Sequence, residues 1–135
     1  NNLIFEQLNI LPLICYEIIF PNLIQKSGID TNLIINISED GWFGDTIGPD
    51  QHFSKSIFRA IENNTFVLRS ANQGTSAIID NKGNLLKKMN RNEVGNIEFE
   101  VPLIKSNKIK NDLIFFILLI TYLLVFLFYR KQNAK

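Results

Sequence analysis

From Leu113 to Tyr129 the chain reads LIFFILLITYLLVFLFY, seventeen residues with no charge, no Pro and no Gly. At ~1.5 Å per residue a helix of that length covers about 25 Å, the low end of what a hydrocarbon core of about 30 Å requires. Lys108 and Lys110 before it and Arg130 and Lys131 after it can snorkel, and Tyr122 and Tyr129 can sit near an interface. A buried helix of a globular domain normally carries a polar stripe, whereas here Thr121 and the two Tyr are the only polar side chains. Residues 113–129 are therefore read as a membrane span. The flanking charges do not orient it, because Lys105, Lys108 and Lys110 on one side balance Arg130, Lys131 and Lys135 on the other.

The rest of the chain is a different material. Residues 1–112 carry 11 basic and 13 acidic side chains, whereas 113–135 carry 3 basic and none acidic. A net charge of +1 gives no global field of the kind that attracts nucleic acid, so a nucleic-acid binder is disfavoured. The single Cys, Cys15, excludes both an intrachain disulfide framework and a zinc site built on several thiolates. With 135 residues the chain has room for one domain with a real core and not for two. Counts of 21 Ile and 17 Asn carry no fold information, since an AT-rich coding sequence produces them without structural cause. The first residue is Asn1 and the only Met is Met89, so a processed product or a fragment is expected. Asn1–Leu13 has neither a basic n-region nor a small-residue cleavage pattern, so no signal peptide is expected there.

Residues 11–17, LPLICYE, read as a short apolar strand, followed by a helix from Pro21 to Ser27 with Gly28 as its stop. Leu33–Ile37 is a second buried strand, ended by the loop SEDGWFGD of residues 38–45. Pro49 opens a helix with Phe53, Ile57, Ala60 and Ile61 at helical spacing, ending at Asn63–Asn64. Phe66–Ser70, Ser76–Ile79 and Leu85–Lys88 read as strands, the last two joined by the turn DNKGN, and Gly95–Val101 as a further strand before Pro102. Strand–helix alternation followed by a hairpin indicates an α/β layer domain.

Cys15 falls where a strand hands over to a helix, and a side chain there can project from the sheet edge while the amides of the following turn face a developing oxyanion. The other reading is a small buried hydrophobe, which a free Cys usually is. His52 is the only His, so any Cys–His dyad would have to use it.

The strings LICYEIIFP, INISEDGWFGDTIGPDQHF and RAIENNTFVLRSANQGTSAIID, in that order over residues 10–104, resemble the C-terminal part of the apolipoprotein N-acyltransferases, membrane enzymes of the nitrilase (carbon–nitrogen hydrolase) superfamily. That family places its last span after the same stretch. The resemblance implies the C-terminal part of a nitrilase-like αββα sandwich over residues 1–104, a linker at 105–112, the membrane helix at 113–129 and a basic tail at 130–135. It assigns the nucleophile to Cys15, an oxyanion amide to Tyr16 and a further essential carboxylate to Glu17, for which a salt-bridged structural role is the alternative. Asp40, Trp42 and Phe43 match the loop beside the active site, where the aromatic pair would pack against acyl chains or the membrane surface, or simply anchor the loop. Gln51, His52, Arg69 and Asn72 match positions near the site and receive no catalytic step, since capping and core hydrogen bonding explain such residues equally well.

The function implied by the resemblance is acyl transfer. A phospholipid would acylate Cys15 and a diacylglyceryl-cysteine apolipoprotein would take the acyl group on its α-amine, at the periplasmic side of a bacterial inner membrane, with no cofactor or metal. Two residues depart from the family pattern: Glu39 stands where Asn is usual, and Asn72-Gln73-Gly74 replaces Asn-Asn-Gly. The family's general-base Glu and oxyanion Lys both belong upstream of Cys15. Glu6 is too near Cys15, and Lys26 lies on the wrong side of it. The 135 residues alone are therefore expected to lack turnover. The rivals are a membrane-tethered amidase or nitrilase using the same Cys, and an inactive remnant.

Overall fold

The computed structural model describes residues 2–6, 8–25, 31–102 and 112–133. Six strands form one mixed sheet in chain order: β1 (Leu3–Phe5), β2 (Leu8–Ile14), β3 (Leu33–Glu39), β4 (Phe66–Asn72), β5 (Ser76–Ile79) and β6 (Leu85–Met89). The central β2–β3–β4 pairs are parallel, and β1, β5 and β6 join antiparallel at the two sides. Between them lie α1 (Pro21–Gln25) and α2 (Gly48–Asn63). Pro12 sits inside β2 beyond the last β1 pair, Leu3 with Ile10, at a stretch that is a sheet edge on that side. That is where a strand tolerates Pro.

One face of the sheet is sealed by α2, the strand-end turn after β2 and α1. Leu11, Leu13, Ile34, Val67 and Ile79 from the strands meet Ile18, Ile24 and Ala60, with Phe53 and Ile57 packed on them. Ile18, Ile24, Ile34 and Ile79 are completely buried, each contributing about 1.5–3 kcal/mol by leaving water. Pro49 occupies the first turn of α2, and Asn64 ends it in the left-handed region at φ +49°. The opposite face carries Leu33, Phe66 and Ile78, partly covered by Ile97 and Val101. A groove of about 560 Å³ remains between that face and residues 93–101.

Several boundaries differ from the sequence reading. The first strand stops at Ile14, and Cys15–Ile19 form a 3-10 turn, so Cys15 lies just past the sheet. β3 continues through Ser38 and Glu39, so the loop begins at Asp40. Gly95–Val101 is not a strand: Ile97 and Val101 are drawn across the sheet face onto Leu33, Phe66 and Ile78 instead of pairing along the β6 edge. β1, three exposed apolar residues, has no counterpart in the sequence reading. The expected helix stop at Ser27–Gly28 lies outside the described residues, and so does the linker apart from Asp112.

The C-terminal helix α3 runs over Asp112–Asn133, 22 residues or about 33 Å, and takes in residues 130–133 of the expected tail. Leu113–Lys131 has a mean hydropathy of 2.4 and none of it is buried against protein, which makes α3 a candidate membrane span. Thr121 Oγ1 donates to the Leu118 carbonyl at 2.8 Å, so its hydroxyl is satisfied within the helix.

Candidate active site

β2 delivers Cys15 to the carboxyl end of the central parallel strands. Its backbone has φ +48°, a left-handed conformation that a side chain with a Cβ rarely adopts. The turn is braced from both sides. Glu17 Oε2 accepts the Ile14 N–H at 2.7 Å, and Asn36 Nδ2 donates to the carbonyls of Leu13 at 3.1 Å and Cys15 at 3.3 Å. Cys15 is half-buried, its sulfur 3.8 Å from Ser38 Oγ and 3.8 Å from the Glu39 carbonyl.

Behind the sulfur lies a buried polar cluster. Asp40, fully buried, accepts from Ser38 Oγ at 2.7 Å and His52 Nδ1 at 2.9 Å on Oδ1, and from Arg69 Nη2 at 2.7 Å on Oδ2. Arg69 also donates from Nη1 to Asn36 Oδ1 and from Nε to the Thr75 carbonyl at 3.3 Å. Ser38 has one hydroxyl hydrogen, and the short bond to Asp40 takes it, so toward the sulfur Ser38 presents an acceptor. Because Oδ1 belongs to an ionised carboxylate, the His52 proton is assigned to Nδ1, which leaves Nε2 buried without a hydrogen-bond partner among the described residues. The His52 ring packs in a triangle with Tyr16 and Phe43, with centroids 5.4 and 5.6 Å away, and ties the residue after Cys15 to the loop after β3.

Burial alone raises the Asp40 pKa, but hydrogen bonds from His52 and Ser38 and the Arg69 charge outweigh it and hold the carboxyl at about 2. Burial pulls the Arg69 guanidinium below its ordinary value, against the opposing pull of Asp40 and Cys15. A carboxylate whose folded pKa is depressed contributes stability that is complete above its unfolded pKa of about 3.9 and lost as pH falls through the folded one. Urea midpoints should therefore drop between about pH 4 and 2 more steeply for the native protein than for Asp40→Asn. Equal slopes would place Asp40 outside the titration.

Space around Asp40 is just as restricted. A Cβ at Gly74 would fall 2.2 Å from Asp40 Oδ2. Gly74→Ala should push the carboxylate off Arg69 and cost about 1–3 kcal/mol, read as a lowered thermal midpoint.

Of the residues expected at the site, Cys15, Tyr16, Glu17, Asp40 and Phe43 converge on this region, as do His52, Arg69 and Asn72. Asp40 is a buried hub and not a residue displayed by the loop. Trp42 is 76% exposed and touches Phe43 at a centroid distance of 6.4 Å. Gln51 faces outward on α2. Glu39, at the position where Asn is usual, accepts from Asn72 Nδ2 at 2.7 Å and the Gly41 N–H at 2.8 Å. The sequence reading misses Asn36 and Ser38, although polar residues at alternate positions of an otherwise apolar strand are a signal that they share one buried face. Among the described residues no cluster of three His, Cys, Asp or Glu side chains could hold a metal ion.

A model of the carbon–nitrogen hydrolase family matches residues 5–110. The apolipoprotein N-acyltransferase of Rickettsia typhi is 43% identical over 134 residues, 90% of this chain and 26% of its own length. That of Allorhizobium ampelinum is 46% identical over 88 residues, 65% of this chain and 17% of its own length. The chain thus spans about a quarter or less of the curated relatives it matches. Among solved structures, an amidase of the nitrilase superfamily from Nesterenkonia AN1 superposes with a TM-score of 0.53 at 16% identity, over 67% of this chain and 37% of the amidase. That likeness concerns the fold. On the family match over most of its length, the chain belongs to the carbon–nitrogen hydrolase family.

Proposed function

We propose that the chain is part of a membrane acyltransferase that takes an acyl group from a phospholipid onto Cys15 and passes it to the α-amine of a diacylglyceryl-cysteine apolipoprotein. The observation that carries this reading is the Cys15 elbow, a half-buried thiol held at φ +48° beyond a parallel strand, with the Tyr16 amide next in the turn. Relatives at 41–46% identity that bear the acyltransferase name favour transfer over hydrolysis.

In the first half-reaction the Cys15 sulfur bonds to the ester carbonyl carbon and the lysophospholipid alcohol leaves with the thiol proton. In the second, the lipoprotein amine bonds to the thioester carbon and its proton returns to the sulfur. Glu17 serves by bracing the turn through the Ile14 N–H. Tyr16, Phe20, Phe43 and Trp42 form a continuous aromatic shelf beside the thiol for the acyl chain, with water kept away by the bilayer in which α3 is seated. Among the described residues the partners of the Cys15 sulfur are Ser38 and Glu39 O, so on this reading the general-base Glu and the oxyanion Lys come from outside these 135 residues. The setting is a bacterial cell membrane with the sheet on the periplasmic side.

Incubation of the full-length membrane-bound enzyme, which includes the segment supplying the Glu and Lys, with phospholipid labelled in its acyl chain should give a hydroxylamine-sensitive adduct on Cys15, absent from Cys15→Ala. A diacylglyceryl-cysteine peptide should then discharge the label as an amide. Equal labelling of Cys15→Ala would sink the assignment, and discharge to water alone would make the protein a hydrolase.

A further inference from the structure

Leu13, Asn36, Arg69 and Ala77 form one register row across β2, β3, β4 and β5. Leu13 and Ala77 belong to the core under α2, so the two polar side chains at the centre of the row, Asn36 wholly buried and Arg69 nearly so, are costly to keep there. Their hydrogen bonds have a direction. Arg69, a donor only, holds Asn36 Oδ1, and this fixes the flip of the amide so that Nδ2 faces β2. Nδ2 then reaches the carbonyls of Leu13 and Cys15, on either side of the point where the chain leaves the sheet.

The Cys15 carbonyl belongs to the same peptide unit as the Tyr16 N–H. A trans peptide is planar, with its C=O and N–H pointing in opposite directions. Holding the Cys15 oxygen on Asn36 therefore sets the aim of the Tyr16 N–H, away from the row. Tyr16 lies in the first positions of the 3-10 turn, whose opening amides have no partner inside the helix.

We propose that Asn36, oriented by Arg69, is a positioning residue that aims the Tyr16 amide at the oxyanion formed when Cys15 is acylated. The proposal rests on the thioester reading of Cys15. In that step the sulfur electron pair makes the S–C bond and the carbonyl π pair moves to oxygen. Return of that pair expels the leaving alkoxide, and the thiol proton is taken up by the leaving oxygen or by buffer. Asn36 touches none of the reacting atoms.

Two reactions at Cys15 in the full-length membrane-bound protein, which carries the Glu and Lys from outside these 135 residues, separate this role from a general structural one. Alkylation by iodoacetamide builds no oxyanion, whereas acylation by p-nitrophenyl octanoate does. Asn36→Asp and Asn36→Leu should lose about 10²-fold in acylation rate while alkylation stays within about threefold of the native protein. Arg69→Lys keeps a cation beside Asp40 but loses the fork that orients Asn36, and should lose about tenfold in acylation alone. Acylation within about threefold of native in both Asn36 variants would overturn the proposal, and so would a parallel fall in both reactions. Native protein that is alkylated at Cys15 but takes no acyl group from the ester would overturn the thioester reading itself, and the proposal with it; that failure is read without any variant.

Discussion

Arg69→Met is expected to cost about 3–5 kcal/mol of domain stability, since it leaves Asp40 as a buried carboxylate without its cation. Among the described residues the guanidinium is the only side chain that joins Asp40, Asn36 and the Thr75 carbonyl, and both members of the ion pair have fully buried side chains. Domains of this size hold about 5–15 kcal/mol in total, so the loss takes a large share of what there is. At about 4 °C or more per kcal/mol the thermal midpoint should fall by about 12 °C or more, followed by circular dichroism in detergent. Combining Arg69→Met with Asp40→Leu removes the stranded charge and should recover much of the loss. A single variant within about 1 kcal/mol of native would mean that water reaches Asp40 and that the pair behaves as a surface one.

Much of the scaffold is legible in the sequence because it is local. The DNKGN turn is held by Asp80 Oδ1, which accepts the amides of Lys82 and Asn84, and Gly83 supplies the positive φ, all within five residues. α2 is legible from apolar spacing and Pro49, and Cys15 from the apolar run that ends beside it. Residues 95–101 mislead because alternation shows which side chains seek cover without showing whether the cover is a pairing strand or the face of a sheet. Here it is the face that carries Leu33, Phe66 and Ile78. The buried cluster is the hardest part to read. His52 and Arg69 meet Asp40 across 12 and 29 positions, and Arg69 meets Asn36 only because the β3–β4 register places them side by side. Each residue alone is an ordinary polar side chain, and its chemistry exists only after the register is set.

Cys15→Gly should abolish the proposed acyl transfer completely and yet give a more stable protein than Cys15→Ala. Both variants lack the sulfur, and removal of a covalent nucleophile costs about 10⁶ in rate where it has been measured, so neither should turn over above background. They differ in what the backbone must bear. At φ +48° a residue with a Cβ crowds its own carbonyl, at about 1–2 kcal/mol, and Gly carries no such penalty. Against this, Gly gains entropy in the unfolded chain, worth about 0.4–1 kcal/mol. The net expectation is about 0.5–1 kcal/mol in favour of Cys15→Gly over Cys15→Ala, seen as a higher midpoint in urea. The pair of variants isolates the elbow because Cys15→Ala keeps the strain while removing the same sulfur contacts to Ser38 and Glu39 O. A Gly variant less stable than the Ala variant would show that the turn is relaxed. Asn36 and Glu17 would then be bracing a conformation that needs no bracing, whereas a more stable Gly variant means that the chain keeps a strained residue at this position for the sake of its thiol.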